Sequence, residues 1–346
     1  MNYQRSRKVK NALVIVAVGV VLAMLYPIAN QESWNAILNG FLIGFTGSGF
    51  VALNEVILDF KFIRKLTFKG AVLYKTMLYF SFFIFIIPSI IIISRAMEAG
   101  LSISAFIDQG GLYHYIFLED FHVTVIYSLF ATVVFIFAYQ MTRKMGQGIL
   151  WSFITGKYHQ PREEKLIFMI MDMNDSTALA EQLGDIEFTN LLNDFFLEIT
   201  DSIVNHLGIM YRYVGDEVVV VWNYEKGIRD SIYLRAFFSA KKAISKNEQY
   251  FLNRYGVVPS FTASVSSGQV VVSEIGRIKS QITLSGDVLF EVTEIEKQCA
   301  NYATDILIPQ SLLEQAHLPK YFEAKKQGEV ITSLGKTIPV YSVYKA

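Results

Sequence analysis

The stretch LIFMIMDMNDST, Leu166 to Thr177, sets an unbroken apolar run against an acid and a polar patch. Six apolar residues in succession, without the alternation of a half-exposed strand, predict a strand buried on both faces of a sheet. That strand closes on Asp172, with Asn174, Asp175, Ser176 and Thr177 immediately behind it. An Asp in that place either caps the next helix or stands at the sheet edge for chemistry.

Downstream the pattern alternates. Ala178–Leu207 predicts helix with a break near Gly184, Ile209–Val214 and Val218–Trp222 predict two strands, and residues 229–253 predict helix. Ser260–Val272 and Gln281–Leu284 are strand-like, and Gly286 leads into a helix at about 287–301. The class is mixed α+β around a buried sheet. Gly215 permits a tight turn between the second and third strands, and Asp216 and Glu217 lie in it, with Asp216 44 residues after Asp172. If those strands neighbour the first, both aspartates emerge at one sheet edge, where hard oxygen ligands suit Mg²⁺ or Mn²⁺. The Asn174–Thr177 turn would open a helix whose free amides receive phosphate oxygens. A two-metal nucleotide site accounts for the whole opening stretch.

Upstream the composition changes. The chain has 346 residues, 52% hydrophobic and 14% aromatic, and most of the apolar excess precedes residue 142. Ala12–Ile28, Ala36–Leu58, Ala71–Ser94 and Val123–Met141 each approach the roughly 20 residues that a bilayer span needs. Four transmembrane helices are the simplest reading, with the first an anchor rather than a cleaved signal, since no clear small-residue cleavage site follows it. Arg5, Arg7, Lys8 and Lys10 precede the first span, Lys61, Arg64, Lys65 and Lys69 join the second to the third, and Arg143 and Lys144 follow the fourth. The positive-inside rule then puts both termini in the cytoplasm. A net charge of zero offers no basic surface for nucleic acid. Cys299 is the single cysteine, so no intrachain disulfide forms.

In the second span, Gly40 and Gly44 have the spacing of close helix contact; packing inside the four-helix bundle is preferred to an intersubunit seam. Glu55 is either a sensing or ion site or, with Lys61 and Arg64 nearby, an acid that snorkels to the interface, which is the expectation here. The outer loop 95–120 ends in an acidic and aromatic tail, Tyr113–Asp120, either a sensory cap or a passive connection. The segment TRKMGQGILWSFITGKYHQPREE, broken by Gly156 and Pro161, reads as a junction carrying motion of the spans onward. The expected organisation is 1–142 membrane domain, 143–164 linker and 165–346 cytoplasmic domain.

The segments MIMDMNDSTALAEQLG, LLNDFFLEIT and GIMYRYVGDEVVVVW, with the later SGDVL turn, resemble the catalytic domain of class III nucleotidyl cyclases, the adenylate and guanylate cyclase family. The likeness covers roughly 160–346, and the segment ahead of it is similar to a bacterial subgroup in which a multi-span anchor feeds such a domain. The resemblance implies a ferredoxin-like core working as a homodimer, with a nucleoside triphosphate at the subunit interface. It assigns metal binding to Asp172 and Asp216, with two ions of Mg²⁺ or Mn²⁺. The ribose 3′-oxygen would attack the α-phosphorus and pyrophosphate would leave. Base reading falls on Arg212, where many members have Lys, and on Thr283, where Asp or Thr is usual; Arg for Lys is not a neutral exchange.

One stretch departs from the pattern. After SGDVL the family continues with Asn and, four residues later, Arg; this chain has Phe290 and Glu294. Phe290 lacks the hydrogen bond that orients the ribose, and Glu294 repels the charge that Arg would neutralise. Lys297, Arg277 and Lys279 are the nearby cations, each read as a solvated surface charge. Two functions follow: a membrane-anchored cyclase, most readily making cyclic AMP, or a weak or inactive cyclase-like module that binds nucleotide or a partner and relays a membrane signal.

Overall fold

The computed structural model describes residues 3–57, 66–118, 121–145, 155–278, 280–316, 318–333 and 335–345. It divides into two compact units, Met1–Lys144 and Met145–Ala346.

In the N-terminal unit, α1 (Tyr3–Ala29), α2 (Trp34–Ala52) and α3 (Phe68–Glu98) contain three segments long and apolar enough to cross a membrane. After the short α4 (Ile103–Asp108), α5 (Gly111–Leu118) and α6 (Phe121–Met145) provide a fourth only if this pair, bent by 58°, counts as one span. Among the described residues the expected four-span domain is thus three apolar helices, or four with the bent pair. Side chains set the starts: Ser33 caps α2 by accepting from Ala36 N–H, and Thr67 caps α3 by accepting from Gly70 N–H. The preferred intrachain role of the α2 glycines holds. A Cβ on Gly44 would stand 2.8 Å from Val20 Cα, so only hydrogen there lets α1 and α2 touch.

Glu55 departs from the snorkelling expectation. It lies in the π-helical turn Leu53–Ile57 that continues α2, and its side chain is only 1% exposed. Lys75 Nζ on α3 donates to both carboxylate oxygens at 2.6 and 2.5 Å, and Tyr79 Oη donates at 2.9 Å. An acid that meets a buried cation one helix away has no need to reach water. Lys61, Arg64 and Lys65 lie outside the described residues, as do Glu119 and Asp120 of the outer loop.

The C-terminal unit is built on a βαββαβ core. The elements are β1 (Arg162–Met173), α7 (Ser176–Leu183), α8 (Asp185–Asn205), β2 (Ile209–Val214), β3 (Glu217–Asn223), α9 (Ile232–Lys246), α10 (Glu248–Tyr255) and β4 (Phe261–Ile275). The order β2-β3-β1-β4, with antiparallel β2–β3, β3–β1 and β1–β4 pairs, is the ferredoxin-like arrangement. Then come β5 (Gln281–Ser285), which pairs with β4, α11 (Asp287–Glu296), β6 (Ile306–Pro309), α12 (Gln310–Gln315), β7 (Phe322–Ile331) and β8 (Thr337–Lys345), with β6, β8 and β7 extending the sheet beyond β4.

The opening stretch explains why β1 is central. Ile167, Met169, Met171 and Met173 enter the core under α8 and α9, while Leu166, Phe168 and Ile170 enter a second core with Val288 and Val292 of α11. Period-two alternation thus feeds two apolar layers, and truncating fully buried Phe168 to Ala would cost about 3–5 kcal/mol. The break near Gly184 is present: its φ of +76° separates α7 from α8. The expected single helix over 229–253 divides at Asn247 into α9 and α10, and α11 ends at Glu296, short of the expected 301. That early end lets residues 298–303 turn so that buried Cys299 donates its Sγ–H to Ala263 O at 3.3 Å.

Residues 146–154 of the expected linker lie outside the described residues. Tyr158 already belongs to the C-terminal unit: its ring packs on the second core and its carbonyl accepts Glu274 N–H at 2.9 Å.

Candidate active site

β1 and β3 run antiparallel, so the C-terminal end of one meets the N-terminal start of the other. The register sets Asp172 opposite Glu217 on β3 and opposite Thr262 on β4. Asp216 sits in the β2–β3 turn, which Gly215 makes possible at φ +64°. Asp172 does not cap a helix; α7 starts at Ser176, behind Asp175 in a left-handed conformation at φ 56°.

The electrostatics are those of acids held together. Burial first, then the Asp216 carboxylate, then Glu296 and Glu217, push the Asp172 carboxyl up to about 7. Oδ1 of Asp172 is buried with no hydrogen-bond partner. Burial, then Asp216, raises Glu217; burial, then Glu217 and Asp216, raises Glu296, although Thr262 Oγ1 donates to it at 2.9 Å. Lys297, at the end of α11, opposes both rises.

Among the described residues no group of three or more His, Cys, Asp or Glu side chains forms a metal cage. Asp172 and Asp216 nevertheless suit a divalent ion. Two mutually repelling carboxylates, one with a buried oxygen lacking a donor, are hard ligands in want of positive charge. Glu296 was not singled out from the sequence. Its signal was there: with Val292 one turn before it, it falls on the buried face of α11.

The other predicted residues are more dispersed. Asn174 is committed to the loop before β4, donating its backbone N–H to Ser260 O at 3.0 Å and its Nδ2–H to Ser260 Oγ at 2.9 Å. Asp175, Ser176 and Thr177 begin α7, where Asp175 makes no side-chain cap. Arg212 lies exposed at the irregularity in β2, and Thr283 lies in β5 with a buried Oγ1 that has no hydrogen-bond partner. Their strands are joined through Tyr211, whose Oη accepts Leu284 N–H at 3.1 Å. No direct hydrogen bond joins Arg212 to Thr283 among the described residues.

Phe290 is 64% exposed on α11. Glu294 accepts Ser333 N–H with both oxygens, at 2.9 and 3.1 Å, and these bonds lower its pKa. One turn away, Glu291 accepts from Ser266 Oγ and pairs with Lys336 Nζ, each at 2.7 Å. Glu294 and Glu291 therefore tie α11 to the β7–β8 turn. Arg277 is exposed, and Lys279 lies outside the described residues.

No family model matches the chain. It is 29% identical over 220 residues to adenylate cyclase 2 of Rhizobium meliloti (strain 1021), covering 63% of this chain and 61% of that one. It is 24% identical over 188 residues to the adenylate cyclase of Anabaena cylindrica, covering 52% and 36%. The chain thus spans about three fifths of the first relative and about a third of the second. In fold it is similar to a bacterial light-regulated adenylyl cyclase, with a TM-score of 0.54 at 19% identity over 66% of this chain and 67% of that one. With this sheet and that neighbour in fold, the C-terminal unit has the fold of an adenylyl cyclase catalytic domain, and in sequence the chain is similar to adenylate cyclases.

Proposed function

We propose that the chain is a membrane-anchored nucleotidyl cyclase converting a nucleoside triphosphate, ATP by preference, to a 3′,5′-cyclic nucleotide and pyrophosphate. The observation that carries this reading is the buried, unpartnered Oδ1 of Asp172 beside the carboxyl of Asp216. Asp172 and Asp216 would hold Mg²⁺ or Mn²⁺, two ions per site, which when bound supply charge neutralisation for the triphosphate. The start of α7 directs its backbone amides toward phosphate oxygens, with Ser176 and Thr177 as hydroxyl donors. Arg212 and Thr283 face the base, Arg212 with a planar fork and Thr283 with a hydroxyl that both donates and accepts. Activity takes a homodimer, in the family's manner. The three or four apolar helices among the described residues support a membrane anchor; the basic flanks of the spans favour a four-span anchor in the cytoplasmic membrane, with lipid as its partner and both termini in the cytoplasm.

The test is to express the full chain in membranes, supply ATP, GTP, CTP and UTP separately with Mg²⁺ or Mn²⁺, and identify cyclic product by mass. Cyclic AMP from ATP is the expected result. Binding of ATP without any cyclic product overturns it.

A second reading, a weak or inactive module relaying a membrane signal, is favoured by the bonds of Glu294 to Ser333 and by exposed Phe290. Under it, Phe290→Asn with Glu294→Arg restores turnover to an otherwise silent chain.

A further inference from the structure

The segment that joins α3 to α6 folds as two short helices rather than as an open loop. Ser102 starts α4 by accepting Ala105 N–H at 3.2 Å, and Gly110, at φ +83°, turns the chain into α5. The turn is tight: a Cβ on Gly111 would stand 2.3 Å from the Phe106 ring, so α4 closes on α5 because that carbon is missing. The Tyr115 ring is buried and meets the Phe121 ring edge-on at 5.5 Å, which holds α5 to the start of α6.

The outward positions of this hairpin are apolar. Ile103 and Ile107 stand four apart on α4, Tyr113 and Phe117 four apart on α5, and all four are exposed. The two aromatic rings lie against each other with centroids 4.9 Å apart. Apolar groups concentrated in this way mark a surface made for contact.

The bend decides which contact. α6 has 25 residues, about 37 Å, and crosses the roughly 30 Å hydrocarbon core without help from α5. Its apolar run starts at Phe121. α5, about 12 Å long, leaves that axis by 58° and so climbs only about 6 Å along it. One headgroup layer is about 5–8 Å deep, so α5 fits inside it, too oblique to extend the span and too low to stand clear in water. Glu98 and Asp108, exposed acids at the ends of α3 and α4, keep there the water that hydrocarbon would deny them.

We propose that α4 and α5 form an amphipathic hairpin seated in the headgroup layer of the bilayer that α3 and α6 cross, with Ile103, Ile107, Tyr113 and Phe117 against the glycerol and upper acyl carbons of phospholipid. Tyr113, with an apolar ring and a polar tip, suits that depth. The surface continues the lipid-facing sides of the spans, so the outer loop is a lipid contact instead of a cap or a bare connection. The inference goes beyond the cyclase reading and rests on this unit lying in a bilayer.

The experiment reconstitutes the full chain in phosphatidylcholine nanodiscs doped with one of two photoactivatable phosphatidylcholines, reactive either beside the glycerol or at the end of the acyl chain. Labelled peptides are mapped by mass spectrometry. The shallow probe is expected to label the peptide carrying Tyr113 and Phe117 about fivefold more than the deep probe does, while the deep probe labels outward-facing Phe85 of α3. Tyr113→Ser with Phe117→Ser should cut the shallow label on 103–118 about tenfold, because two rings lose their apolar contact, and leave Phe85 labelled. Deep label on Phe85 with no shallow label on 103–118 overturns the inference and leaves the hairpin to water or to a protein. Deep label on Tyr113 and Phe117 at the level of Phe85 also overturns it, by making α5 part of the span. Phe85 unlabelled by the deep probe overturns the bilayer placement of the whole unit, so the two failures are told apart, and neither depends on cyclase activity.

Discussion

Each unit withdraws carboxylate oxygen from water, the whole side chain at Glu55 and Oδ1 at half-buried Asp172, and the two are treated in opposite ways. Glu55 meets Lys75 and Tyr79, a cation and a hydroxyl donor. Asp172 meets Asp216, with Glu217 and Glu296 close enough to raise its pKa. The first acid is neutralised by its own chain. The second is surrounded by like charge and keeps an oxygen without a donor. A fold that satisfies one acid so completely and leaves another wanting is what the proposed cation site at the second would require.

The contrast can be broken most directly at the unsatisfied acid. Asp172→Ala and Asp216→Ala should each lower turnover by about a thousandfold or more if, as proposed, each supplies a cation ligand. Cyclic product formed at an undiminished rate by either variant would remove the site. Next in size is the satisfied acid. Lys75→Met leaves Glu55 buried without its cation and should destabilise the N-terminal unit by about 3–5 kcal/mol, whereas Lys75→Met with Glu55→Gln should recover most of that. Thermal unfolding of the full chain in detergent measures both, and a double variant no better than the single would show that the pair was not the cause.

A smaller effect sharpens the comparison by pH. Native Asp172 keeps its proton to about 7, while an unfolded Asp loses it near 4. The native state binds more protons between those values, so stability falls as pH rises through that window, by about 2 kcal/mol after discounting for solvent screening. Asp172→Asn should flatten the metal-free profile, and Mg²⁺ or Mn²⁺ should raise the melting temperature more at about pH 8 than at about pH 5, because the ion competes with that proton. A metal-free profile unchanged by Asp172→Asn counts against the shared burial of these acids. The smallest change is at the surface. Glu294→Ala should lower the melting temperature slightly by releasing Ser333, and an unchanged value would mean that this brace is idle.

The sheet was legible because β1 and β3 distribute their side chains between two cores, a pattern that six and five consecutive apolar residues carry in plain sight. The meeting of Asp172 and Asp216 followed once the strands were neighbours. What stayed hidden depended on partners distant in sequence. Lys75 lies 20 residues from Glu55 and on another helix, so charge near Glu55 in sequence pointed toward Lys61 and Arg64 instead. Glu296 was obscured by Glu294, the residue at the family's Arg position, although the helical repeat places Glu296 inward. That Gly111–Leu118 forms a helix of its own was also unread, because the sequence reading assigned the segment to the outer loop.

Cys299 offers a practical consequence. It is the chain's sole thiol, 1% exposed, and burial pushes its pKa far above the usual range, so the thiolate that alkylating reagents need is scarce. The unaltered protein is therefore a silent background for maleimide chemistry: a cysteine introduced at a solvent-facing position can carry a spin label or fluorophore without first removing the natural one.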